Sequence, residues 1–269
     1  MNVLELQQLT KTYLLPGGKN VPALQAVDLV LQPGEWLGIV GESGSGKSTL
    51  ARCIAHLEPV TSGGILYGQQ DVTSLRGEAL RQHYRQIQLV FQEPGSVFQP
   101  RMCIGEFLCE PLLNYKLMPR RHMAAEIGRQ LERVGLSPAM AAKYPHELSG
   151  GQLQRVMIAR AISIYPEVIV FDEPTSALDV SSQRQILELL STLRQETGVS
   201  AIFISHDLAV VQQVCERIAV MQEGRIVDVV ADSRRLVSSE LHPYTRELFD
   251  AVPTINKLIN STFTEPKST

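Results

Sequence analysis

At 269 residues, with 44% hydrophobic and 20% charged residues, the chain has the composition of a globular protein that can bury one sizeable core, as one large domain or a domain with a subdomain. A net charge of −3 supplies no basic face for nucleic acid, and no apolar run approaches the roughly 20 residues that span a bilayer. The opening MNVLELQQLTKTY carries Glu5 and alternates its apolar residues, unlike a signal peptide, and Cys53, Cys103, Cys109 and Cys215 form no CxxC pair, which fits a reduced compartment.

VLEL at 3–6 and ALQAVDLVL at 23–31 alternate as half-buried antiparallel strands do, with Pro16, Gly17 and Gly18 as the turn between them. After a second turn at Pro33 and Gly34, WLGIVG at 36–41 is continuously apolar, as a buried strand should be. IQLVF at 87–91, VIVF at 168–171 and AIFIS at 201–205 repeat that pattern, each followed by a turn and a helical stretch. The stretch from about 95 to 165 holds helical patterns only; Ile127, Leu131 and Val134 share one helix face, closed by Gly135. IVDVV at 226–230 reads as a final strand before a polar tail ending INSTFTEPKST, whose last residues are expected to be disordered. The expected fold is therefore α/β: a mainly parallel core sheet, an N-terminal antiparallel β subdomain and an inserted α-helical subdomain. Cys53, in the helix after residue 47, and Cys215, read as lying in a helical stretch, are expected to be small core hydrophobes.

GESGSGKST at 41–49 fits G-x-x-x-x-G-K-[ST], follows a strand and opens the helical run TLARCIAHL. Gly41, Gly44 and Gly46 let backbone N–H groups wrap a phosphate, with Ser43 and Thr49 completing the loop; Lys47 adds a point charge, and the Ser48 hydroxyl is a Mg²⁺ ligand. VIVFDEP at 168–174 ends a buried strand in two carboxylates, a costly arrangement unless a cation meets them. Asp172 is assigned to the metal and Glu173 to polarising the attacking water. By itself such a pair is equally a strand end with solvated acids; beside a complete phosphate loop that alternative loses. His206, after AIFIS, is placed to reach a γ-phosphate at the sheet edge, and by spacing alone is equally a capped surface residue. Gln92, just past IQLVF, offers an amide to water and metal.

LSGGQLQRV at 148–156 reads as another helix start, with Ser149 as cap followed by Gly150, Gly151 and Gln152: a second anion-grade helix terminus in a chain that already has a phosphate loop.

The order of GESGSGKST, Gln92, LSGGQ, VIVFDE, SALD and a histidine after the next strand resembles the ATP-binding-cassette (ABC) ATPases over residues 1 to about 245. The resemblance implies a P-loop NTPase that uses ATP and Mg²⁺. It implies that Tyr13 stacks on adenine, that Gln92 contacts metal and water, and that Ser176 to Asp179 form a loop crossing to a partner. His206 becomes the switch histidine. It further implies a head-to-tail dimer in which each ATP lies between one subunit's phosphate loop and the other's LSGGQ, so the second anion site serves the neighbour's nucleotide. LHPYTRELFDAVP at 241–253 and LVFQEPGSVFQPRM at 89–102 are similar to the oligopeptide, dipeptide and nickel importer branch. HPYT also reads simply as a helix start with proline near its first position. Leu153 departs from the Arg or Lys common after LSGGQ, and the tail lacks the cysteine cluster of some relatives, so no iron–sulfur site is expected. The expectation is an ABC ATP-binding domain at 1–240 and an importer-type tail at 241–269. It would be the peripheral ATPase at the cytoplasmic face of the membrane for an importer of peptides, nickel or another chelated metal. Its implied partners are permease subunits, a like or sister ATPase and, indirectly, an extracytoplasmic solute-binding protein, without nucleic acid. The alternative is a soluble ABC ATPase in a non-transport complex such as phosphonate breakdown. Val97, Phe98, Met102, Ile104 and Phe107 exceed what a short solvated loop needs. They form either a surface that couples to a membrane partner or the insert's own small core.

Overall fold

A computed structural model describes residues 2–231 and 241–250. The tail beyond 250 and the stretch 232–240 lie outside the described residues, and the reading of INSTFTEPKST with them.

Two sheets form the body. β1 (Leu4–Leu14), β2 (Asn20–Leu31), β4 (Ser62–Tyr67) and β5 (Gln70–Asp71) make an antiparallel sheet in the order β2-β1-β4-β5. β3 (Trp36–Val40), β6 (Ile87–Val90), β7 (Val168–Asp172), β8 (Ser200–Ile204), β9 (Arg217–Gln222) and β10 (Arg225–Val230) make the larger sheet, in the order β10-β9-β3-β8-β7-β6. Its pairs are parallel except β9 with β10, which a Glu223–Gly224 turn connects.

The continuous apolar runs of β3, β7 and β8 are explained by burial on both faces, and each run divides by alternation. Leu37, Ile39, Val168, Val170, Ile202 and Ile204 enter one core, beneath the antiparallel sheet, together with helix α1 (Lys47–Ile54). Trp36, Val40, Ile169, Phe171, Ala201 and Phe203 enter the other, against the remaining helices. There the Trp36 indole N–H donates to the Val199 carbonyl at 3.0 Å, which removes the cost of burying that polar atom.

Between β6 and β7 the described chain forms only helices and short turns: α3 (Ile104–Asn114), α4 (Met123–Arg133) and α5 (Gly150–Ile162). Ile127, Leu131 and Val134 are all buried, and Gly135 ends the turn with φ +71°. The coupling-surface alternative fails for three of its five residues. Phe98, Ile104 and Phe107 are buried, and the Phe98 and Phe107 rings lie 4.3 Å apart. An aspartate at Phe98 would therefore place a charge in a packed core, which unfolds a protein rather than uncoupling it.

The remaining helices are α2 (Gly77–Gln86), α6 (Val180–Thr197), α7 (Leu208–Val214) and α8 (Pro243–Asp250). Cys215 does not lie in a helix: it follows α7 in extended conformation, φ −118° and ψ 139°, although it is buried as expected. Burial pushes the Cys53 thiol up to about 11, in keeping with a core residue rather than a ligand. Among the described residues, no helix is long and apolar enough to cross a membrane.

His83 is the one buried residue of α2, packed edge-on against the His56 ring at 4.5 Å. Burial first, and the neighbouring His56 second, lower its pKa from 6.5 to about 4. The unfolded chain binds this proton more readily, so the stability it contributes is present above pH 6.5 and is lost as pH falls through 4, by about 3 kcal/mol in all. Urea unfolding at pH 7.5 and pH 4.5 should show a smaller loss for His83→Leu than for the parent; equal losses would place the acid sensitivity elsewhere.

Candidate nucleotide site

The C-terminal ends of β3, β6, β7 and β8 converge on a cleft of about 590 Å³. In an open parallel sheet this is the edge at which ligands bind. Ser43, Gly44, Gly46, Lys47, Ser48 and Thr49 line its floor, and Gln92, Glu173 and His206 its far side.

The loop after β3 has its shape because glycine permits it. Gly46, which precedes α1, has φ +104°, and a Cβ there would meet the Ala23 carbonyl oxygen at 2.4 Å. The Lys47 ammonium curls back into its own loop and donates to the carbonyls of Gly41 and Glu42, both at 2.7 Å, and to Ser45 Oγ at 3.3 Å. Burial lowers its pKa, while Glu173, Asp172 and Glu42 oppose that shift.

β7 ends by sending its two carboxylates to different tasks. Asp172 is 4% exposed and accepts the Ser48 hydroxyl at 3.0 Å; burial raises its pKa. Glu173 turns into the left-handed region with φ +47°, a conformation that costs a non-glycine residue energy, and its N–H donates to the Ile204 carbonyl at 3.0 Å. That turn carries its carboxylate into the cleft. There one oxygen, Oε2, accepts Gln92 Nε2 and contacts His206 Nδ1, each at 3.1 Å. Gln92 also reaches Ser176 Oγ at 3.4 Å, so residues following three different strands meet at one carboxylate.

Several of the residues expected from the sequence do not line this cleft. Tyr13 is not among the residues that line the cleft; it pairs in register with Val21 and has Lys11 Nζ 4.8 Å from its ring centre. The cleft's apolar rim is Val21, Pro22 and Ala23 of β2, next to Tyr13 through its pairing with Val21. Sequence reasoning missed these three, although a proline inside an alternating run marks an edge strand. Ser149 caps α5: its Oγ accepts Gln152 N–H at 3.3 Å, and Gln152 Oε1 accepts Ser149 N–H at 3.0 Å. None of Ser149, Gly150, Gly151 and Gln152 lines the cleft that holds Lys47. Asp179 caps α6 with both oxygens, accepting Ser182 N–H at 2.9 Å and Ser182 Oγ–H at 2.7 Å, and these bonds hold its carboxyl below the usual range.

The arrangement can bind a polyphosphate on a loop of N–H groups and one ammonium, and can hold a water against Glu173. The family model described as ABC transporter matches residues 24–176, more than half of the chain.

The chain belongs to the ABC transporter family.

This ABC protein is 47% identical to a peptide ABC transporter ATP-binding protein of Sinorhizobium fredii, over 93% of this chain and 72% of that one. It is 43% identical to the glutathione import ATP-binding protein of Escherichia coli K12, again over 93% of this chain but only 41% of the other; the chain spans less than half of that relative. A dimeric ATP-binding cassette in a post-hydrolysis state with ADP and phosphate superposes with TM-score 0.78 at 32% identity, covering 87% of this chain and all of that one. A component of an ABC transporter complex from Clostridium perfringens superposes with TM-score 0.76 at 26% identity, covering 96% and 99%. The fold is thus that of a P-loop NTPase cassette, and the chain is an ATPase.

Proposed function

We propose that this ATPase energises a membrane importer for peptides, as a peripheral subunit at the cytoplasmic face that pairs with a like or sister cassette and with permease subunits. The convergence of Gln92 and His206 on Glu173, opposite the loop of Lys47, carries the hydrolytic part of this reading. The names of the Sinorhizobium and Escherichia relatives, a peptide transporter and a glutathione importer, support peptide over nickel as cargo.

In this proposal the loop from Gly41 to Thr49 holds the triphosphate. Lys47 supplies countercharge at the β- and γ-phosphates, and Val21 to Ala23 form the apolar wall for the base. Ser48 and Asp172 fit a Mg²⁺ ion: a hydroxyl and a carboxylate 3.0 Å apart, with the carboxylate almost fully buried, form a hard-oxygen donor set. Bound there with Gln92 as a further contact, the ion would neutralise charge on the phosphate oxygens. Glu173 takes the proton from the attacking water. Gln92 and His206 orient that carboxylate, and release of the γ-phosphate frees both contacts to shift. Ser149, Gly150, Gly151 and Gln152 present their helix start to the partner's nucleotide, with Ser176 and Asp179 at the crossing loop.

Coupling is assigned to a groove of about 300 Å³ between β6, α3 and α5, lined by Leu89, Phe91, Val97, Met157 and Arg160 among others, with the buried Phe107 ring as its floor rather than as a docking residue. One of its lining residues, Phe91, immediately precedes Gln92, so a change at the nucleotide has a short covalent path to it. Arg160 spans its wall, paired with Glu110 at 2.8 Å and lying 4.2 Å over the Phe107 ring. Glu110→Arg exchanges a half-exposed partner of an ion pair worth about 0–1 kcal/mol, so melting temperature and basal ATPase should hardly change. Co-purification with the permease and peptide-dependent growth should fail. A folded variant that keeps both would remove this groove as the coupling site.

A further inference from the structure

HPYT has so far explained only a helix start, yet its tyrosine reaches the phosphate loop. Tyr244 is 8% exposed, and its hydroxyl accepts the backbone N–H of Glu42, the second residue of GESGSGKST, at 2.9 Å. The other half of that same peptide group, the Gly41 carbonyl, accepts Lys47 Nζ at 2.7 Å. A peptide group is planar, so fixing the direction of its N–H fixes the direction of its C=O. One peptide plane is therefore held between Tyr244 on one side and the loop's only ammonium on the other. Glu42's own carbonyl takes a second bond from Lys47 Nζ at 2.7 Å and one from Ser45 N–H at 3.2 Å, so the plane's orientation propagates into the loop.

Helix α8 is seated firmly enough to act as an anchor. Asp228 Oδ2 on β10 accepts the His242 N–H at 2.8 Å and the hydroxyl of Thr245, which is wholly buried. The Tyr244 N–H in turn donates to His242 Nδ1 at 3.3 Å.

We propose that Tyr244 is a positioning residue for nucleotide binding: the C-terminal helix braces the Gly41–Glu42 peptide and so sets the Lys47 ammonium and the entry limb of the phosphate loop. The inference rests on reading residues 41–49 as that loop. Bracing pre-organises the loop before ligand arrives, so its loss should appear in affinity rather than in the chemical step, whose base at Glu173 is untouched.

Calorimetric titration of the full chain with ADP, on the parent and on Tyr244→Phe, Thr245→Val and Lys47→Ala, tests this. Tyr244→Phe keeps the ring and deletes one hydrogen bond, so the Kd for ADP and the KM for ATP should rise about 3- to 10-fold while kcat stays within about twofold. Thr245→Val keeps the hydroxyl of Tyr244 but loosens its seat, and should raise Kd in the same direction by less. In both variants, hydrogen exchange at the Glu42 amide should accelerate. A purely structural tyrosine would lower the melting temperature of the nucleotide-free protein and leave the ADP Kd of the folded protein where it was; that result overturns the proposal. Should Tyr244→Phe fail to fold, unchanged Glu42 exchange and ADP Kd in Thr245→Val overturn it equally. If Lys47→Ala binds ADP as tightly as the parent, the phosphate-loop reading falls and the brace with it. If Lys47→Ala loses ADP and Tyr244→Phe does not, the brace alone falls.

Discussion

Glu173→Gln is expected to bind ATP with near-parental affinity and to hydrolyse it about 10²–10⁴-fold more slowly, the usual cost of removing a general base. The amide oxygen can still accept Gln92 Nε2 and face His206 Nδ1, which both meet a single oxygen of Glu173 at 3.1 Å, so the strained turn at φ +47° and its surroundings are retained. What disappears is the proton acceptor. Lys47, Ser48 and Asp172 are unchanged, so binding by the loop is unchanged. With hydrolysis blocked, the ATP-bound dimer should accumulate and be visible by size exclusion in MgATP but not in MgADP. Single-turnover rates and ATP binding measured on the same preparation separate the two effects. A variant that turns over at the parental rate would move the base to His206, the other titratable side chain at that carboxylate.

Much of this site was legible because each of its parts follows a strand that the chain's apolar runs announce. WLGIV, IQLV, VIVFD and SAIFI are adjacent parallel strands, so Lys47, Gln92, Asp172, Glu173 and His206 have to collect at one sheet edge once the strands are placed. What stayed hidden has specific causes. β9 was passed over because only Cys215 and Glu216 separate it from α7, and the helical pattern was read across that gap. β4 opens with Ser62, Gly63 and Gly64, and β5 is two residues long, so neither shows an alternation of useful length. α2 buries only His83, leaving almost no apolar stripe to detect. The sequence left Phe98 open between a surface and the insert's own core, because spacing does not show what its ring meets; it packs on Phe107 inside the helical core. The bond from Glu42 to Tyr244 joins residues 202 positions apart, and neither composition nor periodicity carries information at that range.

Ser149→Arg is expected to leave nucleotide binding by the mutated chain intact and to abolish its turnover in dimers of that chain. Ser149 lies outside the cleft that holds Lys47, so the substituted chain's own phosphate loop is untouched. The arginine would instead place bulk at the start of α5, where the proposal seats the partner's γ-phosphate. Losing the Ser149–Gln152 cap costs about 0.5–2 kcal/mol, so the melting temperature must be recorded beside the rate. Gly151→Asp is the poorer variant: a Cβ at that position already meets Ser182 Oγ at 3.0 Å, so Ser182 at the start of α6 would have to give by a few tenths of an ångström. Mixing settles where the site is assembled. In a head-to-tail dimer of one Ser149→Arg chain and one Glu173→Gln chain, both lesions fall on the same composite site, and the other site keeps an intact Glu173 opposite an intact Ser149. Two inactive preparations should therefore regain activity on mixing, up to about a quarter of the parental rate if the chains pair at random and each site works alone. If the protein pairs with a sister cassette, the two lesions are placed one on each partner and the intact site is the same one. Mixtures that stay as inactive as their components, while both variants fold and bind ATP, would mean that each chain completes its own site or that both sites must fire together. Repeating the mixture with both lesions on one chain and a parental partner separates those two outcomes: sites completed within a chain leave the parental partner active, whereas sites shared across the interface are then both broken.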